Sequence, residues 1–260
     1  MPSDVSSVKR ILNSKYIAIA ILLIISIGVY LNALPNEFVY DDRFQVLNNP
    51  WIKNIRYIPD IILTDVWAFE GEGLPSNYYR PLMHIIYMID YHIFGLKPWG
   101  FHLTNIIFHA GVTLLVFLIA SILINQFNQS HDLNSKFHPE QVGTNSKSKI
   151  QNHKSKIINL KSQIQNSKSQ ILNLKTKILS PAFIAAFLFA AHPIHTEAVT
   201  WIGGIPELSF TLFYLFSFYL YIKADGKWGK GFTPHYHISA GFILSLIFFF
   251  LSILCKETAL

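Results

Sequence analysis

The sequence predicts an all-α, multi-pass membrane protein. Of its 260 residues, 51% are hydrophobic and 15% aromatic, and the mean hydropathy is +0.34. These values are too high for an ordinary soluble domain. The apolar residues fall into long runs separated by polar loops. The single cysteine, Cys255, excludes an internal disulfide.

The formal charge of +6 does not indicate a nucleic-acid partner, because the positive charge is confined to one segment. Residues 125–180 carry nine lysines against Asp132 and Glu140, so the rest of the chain is close to neutral. We therefore expect a membrane partner and no nucleic acid.

Residues 1–15 are polar and include Lys9, Arg10 and Lys15, and an apolar run of 19 residues follows at 16–34. About 20 residues are needed to cross about 30 Å of hydrocarbon. No small-x-small cleavage site follows the run, so it is interpreted as an uncleaved anchor. The basic N-terminus is then cytoplasmic by the positive-inside bias.

The loop at 35–80 holds seven acidic and four basic residues, which is typical of an outward-facing loop. Its tryptophans and tyrosines suit the headgroup region, and short interfacial helices are expected, for instance over 55–63. The loop opens on Tyr40-Asp41-Asp42-Arg43. Charge at the rim of a bilayer usually faces a ligand or water. Two solvated acids without a role are the alternative.

Residues 81–94 form a 14-residue apolar piece that includes His84, Asp90 and His92. This piece is too short and too polar to cross, and we expect it to lie in the outer interface or to re-enter. Residues 101–124 are long enough for a full crossing. Residues 16–124 thus form a membrane module whose outer loop, 35–80, is the candidate catalytic loop, and the lysine-rich insert at 125–180 becomes cytoplasmic.

The insert contains a seven-residue repeat over 147–181, with isoleucine at 150, 157, 164, 171 and 178. His153 and Ser167 interrupt the second apolar row, so the coiled-coil pattern is partial. Two interpretations remain open: a low-complexity expansion in a tolerant loop, and a weak helix on anionic lipid.

Residues 181–260 continue the membrane module. Residues 181–191 lead to a polar turn, His192 to Ala198, at the outer face. Residues 206–222 return to a basic cytoplasmic loop at 223–230, and 238–254 cross outward. The chain stops at residue 260 without a terminal loop, which predicts a fragment of a longer protein.

On this topology several polar groups converge on the outer face. They are Asp41 and Asp42, the corner at Arg80, the turn with His195 and Glu197, the pair Lys256 and Glu257, and the helix face of His102, Asn105 and His109. Membrane histidines that only hydrogen-bond a neighbouring helix are the alternative for that face.

Metal binding by His192, His195 and Glu197 is disfavoured, because Pro193 kinks the backbone and the His-Glu-x-x-His pattern does not occur. No metal site is therefore predicted there. A divalent cation held by Asp41 and Asp42 is the remaining metal alternative.

The ordered set of motifs resembles the membrane half of the tetratricopeptide-containing O-mannosyltransferases. These are integral-membrane glycosyltransferases of the GT-C type, which use polyprenyl-phosphate sugars. The resemblance covers 16–124 and 181–260, with two departures: the long insert, and the lack of a basic residue shortly before Glu207. The motifs are Tyr40-Asp-Asp with Asn48, Tyr79-Arg-Pro-Leu, Gly95-Leu-x-Pro-x-Gly-Phe-His-Leu-x-Asn with His109, His192-Pro-Ile-His-Thr-Glu-Ala-Val, and Lys256-Glu.

The resemblance implies a GT-C-like helical bundle with interfacial helices in the first outer loop. It implies transfer of a sugar, with mannose expected, from a polyprenyl-phosphate donor to Ser or Thr of an exported protein. The bacterial inner membrane or the endoplasmic reticulum membrane is expected, with the active face outward or lumenal. Tetratricopeptide repeats are expected downstream, and the fragment alone is expected to be inactive.

By the same resemblance Asp41 is the general base, and Asp42 orients the acceptor or a metal. Arg80 and Lys256 are the cations for the lipid phosphate. The remaining candidate substrate-binding residues are His102, Asn105, His109, His195, Glu197 and Glu257.

A non-catalytic membrane scaffold, or an ion or proton transporter subunit, is the alternative function. A transport path should place charges near mid-membrane. Most charges here lie at the predicted outer ends of the spans, which favours the enzyme.

Overall fold

The computed structural model describes residues 3–71, 76–135, 180–225 and 239–257. Within these ranges the chain forms helices and no strand, so the all-α prediction is confirmed. Most of the lysine-rich insert and of the basic loop at 223–230 lie outside the described residues. The predictions made for both therefore remain predictions.

The described part of the chain contains three segments long and apolar enough to cross a membrane: Lys15–Ala33, Pro98–Asn128 and Ile202–Ala224. Pro181–Ala191 and Pro193–Thr200 are bent by 46° and would form a fourth if they are one span. Ala240–Cys255 is also apolar, but its 16 residues are fewer than the about 20 of a typical span.

Eight α-helices form the frame of this part of the chain. They are α1 (Ser3–Gly28), α2 (Ile58–Leu63), α3 (Pro81–Phe94), α4 (Pro98–Ser135), α5 (Pro181–Ala191), α6 (Thr196–Thr200), α7 (Ile205–Asp225) and α8 (Ala240–Cys255). Serine caps open two of them, since the hydroxyls of Ser180 and Ser239 accept hydrogen bonds from Phe183 N and Phe242 N, each at 3.2 Å.

Helix α4 is central to the packing, and it contacts α1, α5 and α7. Helices α7 and α8 pack along one another, and the Ser217 hydroxyl donates to the Ser245 carbonyl over 2.7 Å. This bond satisfies a buried hydroxyl inside an otherwise apolar contact.

The outer loop between α1 and α3 is folded onto α3. It consists of short helical turns at Arg43–Asn48, Trp51–Lys53, Ile55–Tyr57 and Ala68–Glu70, together with α2. Its apolar side chains join those of α3, α4 and the α6–α7 segment in one core, which includes Phe38, Val46, Ile52, Met83, Tyr87 and Phe101. The predicted short helices over 55–63 are thus confirmed as helices.

Helix α3 has the bounds predicted from the sequence. It begins at Pro81, where the missing N–H costs no hydrogen bond, and it ends before Gly95, which has a positive φ of 65°. Helix α4 differs from the predicted 101–124 at both ends. It begins at Pro98 by the same proline rule, and it continues to Ser135 because the polar residues after Ile124 end the apolar run and not the helix.

Candidate functional site

The acidic pair lies on a tight turn with unusual backbone geometry. Tyr40 has a φ of +48°, in the left-handed region that non-glycine residues rarely adopt. Two hydrogen bonds close the turn: Val39 N donates to Asp42 Oδ2 over 3.1 Å, and Asp42 N donates to the Val39 carbonyl over 3.0 Å. The turn directs the two carboxylates to different places, with Asp41 exposed and Asp42 buried.

Asp42 is only 1% exposed, and its Oδ1 has no hydrogen-bond partner in the part of the chain that the structure describes. Burial raises the pKa of Asp42 to about 6, and neighbouring Asp41 adds to the rise. Interactions with the backbones of Val39 and Gly203 and with the indole of Trp201 lower the pKa and so oppose this rise. Asp42 therefore stabilises the turn. Its side chain has almost no accessible surface with which to orient an acceptor or to bind an ion shared with Asp41, the two roles expected from the sequence.

Two open clefts meet at Asp41. The first, the Tyr78 cleft, has a volume of about 780 Å³ and is lined by Asp41, Phe44, Trp67, Glu70, Ser76, Asn77 and Tyr78. The second, the Glu197 cleft, has a volume of about 740 Å³ and is lined by Asn36, Glu37, Val39, Tyr40, Asp41, Glu197, Thr200 and Trp201. Among the described residues, Asp41 alone lines both, so its carboxylate can reach a molecule in either cleft.

The segment around Trp201 lies against the buried Asp42 of the acidic turn. Asn105 Nδ2 of α4 donates to the Trp201 carbonyl over 2.6 Å, and Trp201 N donates to the Glu197 carbonyl over 3.1 Å. Gly204 follows at a point where a Cβ would lie 2.2 Å from the Ala198 carbonyl oxygen, so only glycine fits. Asn105 thus does not line the clefts. It orients the backbone at Trp201.

A four-residue charge cluster joins α3, α7 and the segment after α8. Arg80 and Glu257 form a bidentate ion pair, with Nε of Arg80 2.8 Å from Oε2 of Glu257 and a second, shorter contact between Nη2 and Oε1. Lys256 Nζ lies 2.5 Å from Glu207 Oε1. The hydrogen bond between Arg80 and Glu257 raises the pKa of the arginine and lowers that of the carboxylate.

This charge cluster is half-buried and electrically balanced. The two cations are each 20% exposed at the side chain. The guanidinium of Arg80 also lies over the ring of Tyr78, 4.9 Å from its centroid, which connects the cluster to the Tyr78 cleft. Both cations predicted to bind the lipid phosphate therefore already have carboxylate partners.

The predicted histidine face of α4 is buried. His109 Nε2 donates to the Ala190 carbonyl over 3.1 Å, and its ring lies 5.6 Å from the ring of His195. Within the described ranges, neither ring nitrogen of His102 has a partner at hydrogen-bond geometry, although the backbone of Asn36 lies nearby. His102, Asn105 and His109 line neither cleft.

Two buried polar contacts hold α3 in place. His84 Nε2 lies 2.8 Å from Gln45 Oε1, which ties the outer loop to α3, and the Thr104 hydroxyl donates to Asp90 over 2.6 Å, which ties α3 to α4. Burial lowers the pKa of His84 to about 4 and raises that of Asp90 to about 7. Two of the three polar residues that make 81–94 a poor span, His84 and Asp90, are thus used for packing, whereas His92 is exposed.

The structure brings some of the predicted site residues together and leaves others apart. Arg80 meets Glu257, Asp41 shares a cleft with Glu197, and His109 lies beside His195. Among the described residues, no three His, Cys, Asp or Glu side chains are placed to hold a metal ion.

The sequence-based site omitted Trp201 and Glu207. The Trp-Ile-Gly-Gly run was the available signal, since paired glycines often mark a close backbone approach.

The chain is similar over most of its length to proteins named as protein O-mannosyl-transferases, which confirms the resemblance seen in its motifs. It is 26% identical to Tmtc1 of Drosophila melanogaster over 235 residues, 89% of this chain and 20% of the relative. It is 28% identical to human TMTC4 over 241 residues, 90% of this chain and 26% of the relative. It is 25% identical to mouse TMTC3 over 91% of this chain and 20% of the relative.

The chain spans about a fifth to a quarter of the length of these curated relatives. No protein-family model matches the chain. No solved structure matches it either.

Proposed function

We propose that the protein to which this chain contributes is a membrane glycosyltransferase. It moves a sugar, with mannose expected, from a polyprenyl-phosphate donor to the hydroxyl of Ser or Thr in an exported protein. The observation that carries this proposal is the position of Asp41, an exposed carboxylate that lines both clefts. Similarity to proteins named as O-mannosyl-transferases supports the reaction class.

A transferase of this kind needs a base at the point where its two substrates meet. The acceptor oxygen attacks the anomeric carbon while the bond from that carbon to the phosphate oxygen breaks. The proton of the hydroxyl passes to the carboxylate of Asp41, and the electron pair of the broken bond leaves with the phosphate. Because Asp41 lines both clefts, a donor in one cleft and an acceptor in the other can both approach its carboxylate.

Asp42 serves this reaction by holding Asp41 in place. Its buried carboxylate fixes the turn through Val39 N, and it lies against the Trp201 segment. Asn105 in turn anchors that segment to α4. The base is thus carried on a turn tied to a membrane helix, which limits its movement relative to the donor.

The departing phosphate needs positive charge. Arg80 is suited to phosphate oxygens because its planar guanidinium donates two parallel hydrogen bonds, the arrangement it now makes with Glu257. Lys256 adds a second cation nearby. A phosphate would take over the place of a carboxylate in this cluster, so the two glutamates keep the cations ordered until the donor arrives.

The proposed orientation places the outer loop, and both clefts with it, on the outward or lumenal face of a multi-pass protein. The acidic balance of that loop and the lysines of the insert support this orientation. The apolar helices below the loop offer a lateral surface for the polyprenyl chain.

The proposal is tested by sugar transfer from a polyprenyl-phosphate mannose donor to a Ser/Thr peptide, using the full-length protein. Asp41→Asn should reduce transfer by at least about 100-fold, the usual contribution of a general base. Asp60→Asn is the matched control, because Asp60 is exposed on α2 of the same loop and lines neither cleft. Undiminished transfer by the Asp41 variant would remove Asp41 from the base role.

A further inference from the structure

The two clefts that meet at Asp41 differ in the charged residues around them. This difference favours the donor in one cleft and the acceptor in the other. The inference rests on the proposed transferase function and deepens it. A sugar-phosphate donor is an anion and needs a cation beside its cleft. An acceptor polypeptide has no such requirement, and its own side chains can carry either charge.

The Tyr78 cleft lies next to a cation, Arg80. Tyr78 lines this cleft, and the guanidinium of Arg80 lies over the Tyr78 ring at 4.9 Å. Arg80 belongs to the charge cluster that also contains Lys256. A phosphate bound by this cluster would place its sugar toward the Tyr78 cleft and Asp41.

The Glu197 cleft is the more acidic of the two. The acids Glu37, Asp41 and Glu197 line it, whereas Asp41 and Glu70 line the Tyr78 cleft, and within the described part of the chain no lysine or arginine lines either cleft. All three acids are exposed, and neither Glu37 nor Glu197 takes part in the ion pairs found among the described residues. An anionic donor would be repelled more strongly here than in the Tyr78 cleft, which lies next to Arg80, whereas a cationic segment would be attracted.

The walls of the Glu197 cleft also suit a polypeptide. Tyr40 is 83% exposed and lines the cleft together with Trp201. Aromatic side chains of this kind contribute large contact area and pack against peptide backbone. The cleft is open and has a volume of about 740 Å³. A residue of extended chain adds about 3.3 Å, so several can pass Asp41 within it.

We propose that the Glu197 cleft receives the acceptor polypeptide, and that Glu37 and Glu197 select segments with Lys or Arg close to the accepting Ser or Thr. Asp41 also lines the Tyr78 cleft, so a hydroxyl in the Glu197 cleft can reach the same carboxylate as a donor in the Tyr78 cleft. Selection by exposed charges weakens with salt, because about 0.15 M salt screens charges beyond about 8 Å.

The test uses the full-length protein and three peptides that each carry one Thr, flanked by Lys, by Gln or by Glu. Peptide affinity is measured by fluorescence anisotropy, and transfer from polyprenyl-phosphate mannose is measured separately. The Lys peptide should bind about fivefold more tightly than the Gln peptide at low salt, as expected for two exposed charge pairs. The Glu peptide should bind more weakly than both.

Variants assign this preference to residues. Glu37→Gln and Glu197→Gln should each reduce the preference for the Lys peptide and leave the KM for the donor unchanged. Asp60→Asn, outside both clefts, should keep the full preference. Loss of the preference in Glu70→Gln instead would place the acceptor in the Tyr78 cleft, where Glu70 lies, and would overturn the inference.

The two readouts separate this inference from the proposed function. Transfer with equal KM for all three peptides supports the transferase and contradicts the acceptor cleft. A charge preference in binding that depends on Glu37 and Glu197, without transfer, supports the acceptor cleft and contradicts the transferase. Equal binding of the three peptides contradicts the acceptor cleft whatever the transfer assay gives.

Discussion

Arg80 and Glu257 lie 177 residues apart in the sequence and form a bidentate ion pair between the start of α3 and the segment after α8. The pair connects the corner of the outer loop to the far end of the described chain. It also holds the guanidinium in the geometry that a phosphate would need.

Substitutions at the two residues should have opposite effects on donor binding. Arg80→Lys keeps the charge but loses the two-pronged geometry, so the KM for the donor should rise about tenfold. Glu257→Gln removes the carboxylate that competes for Arg80, so the KM for the donor should fall while thermal stability declines. If Glu257→Gln raised the KM as much as Arg80→Lys, the carboxylate would be needed to position Arg80 in the bound state.

Asp42→Asn should make stability less dependent on pH. The folded-state pKa of Asp42, about 6, lies above its ordinary value of 3.8. The buried carboxyl is therefore accommodated without penalty below pH 3.8, and the folded state loses stability as pH rises through 6. The amide keeps an oxygen for Val39 N and carries no charge, so the variant avoids this loss.

The measurement is the thermal unfolding midpoint at pH 5 and pH 8 in detergent. The midpoint of the unmodified protein should fall further between these values than that of Asp42→Asn. Asp90, with a pKa of about 7, contributes equally to both proteins, so the difference between them reports Asp42. Identical pH profiles would show that water reaches Asp42 and that burial does not govern its titration.

Gly204→Ala should destabilise the protein and reduce transfer together. The added Cβ would lie 2.2 Å from the Ala198 carbonyl oxygen, a backbone atom that cannot move alone. The α6–α7 connection must shift, and the Trp201 segment behind Asp42 shifts with it. We expect a loss of more than about 2 kcal/mol, within the range known for strained or overpacked sites.

Gly28→Ala is the matched control, since a Cβ there has no neighbour within 4 Å. Denaturant unfolding of both variants, with transfer measured in parallel, checks the prediction. Equal stability of the two variants would show that the α6–α7 connection has room to relax.

The sequence predicted the elements whose ends are marked by particular residues. Pro81 and Gly95 delimit α3. Proline is tolerated only in the first turn of a helix, and Gly95, with its positive φ, ends the helix. The extension of α4 to Ser135 could not be read from hydropathy, which reports where apolar residues stop and not where backbone hydrogen bonds stop.

The candidate site could be predicted from the sequence only where local residue types mark it, as with the ends of α3. Exposed acids and cations in an outer loop are visible as charge, so Asp41 and Arg80 could be named directly. The groups that interact with the buried Asp42 include Trp201 and Gly203, more than 150 residues further along the chain. The pairing of Lys256 with Glu207 depends in turn on how α7 and α8 pack. Local sequence carries no information on either contact.

The left-handed backbone of Tyr40 has a consequence for how this protein can change. Such a conformation costs a non-glycine residue about 1–3 kcal/mol. Glycine at position 40 would recover that energy, but it would also remove an 83%-exposed aromatic ring from the wall beside Asp41. Tyr40→Gly would therefore raise stability at the expense of the cleft that we propose for the acceptor, so residue 40 is a position where stability and the proposed activity conflict.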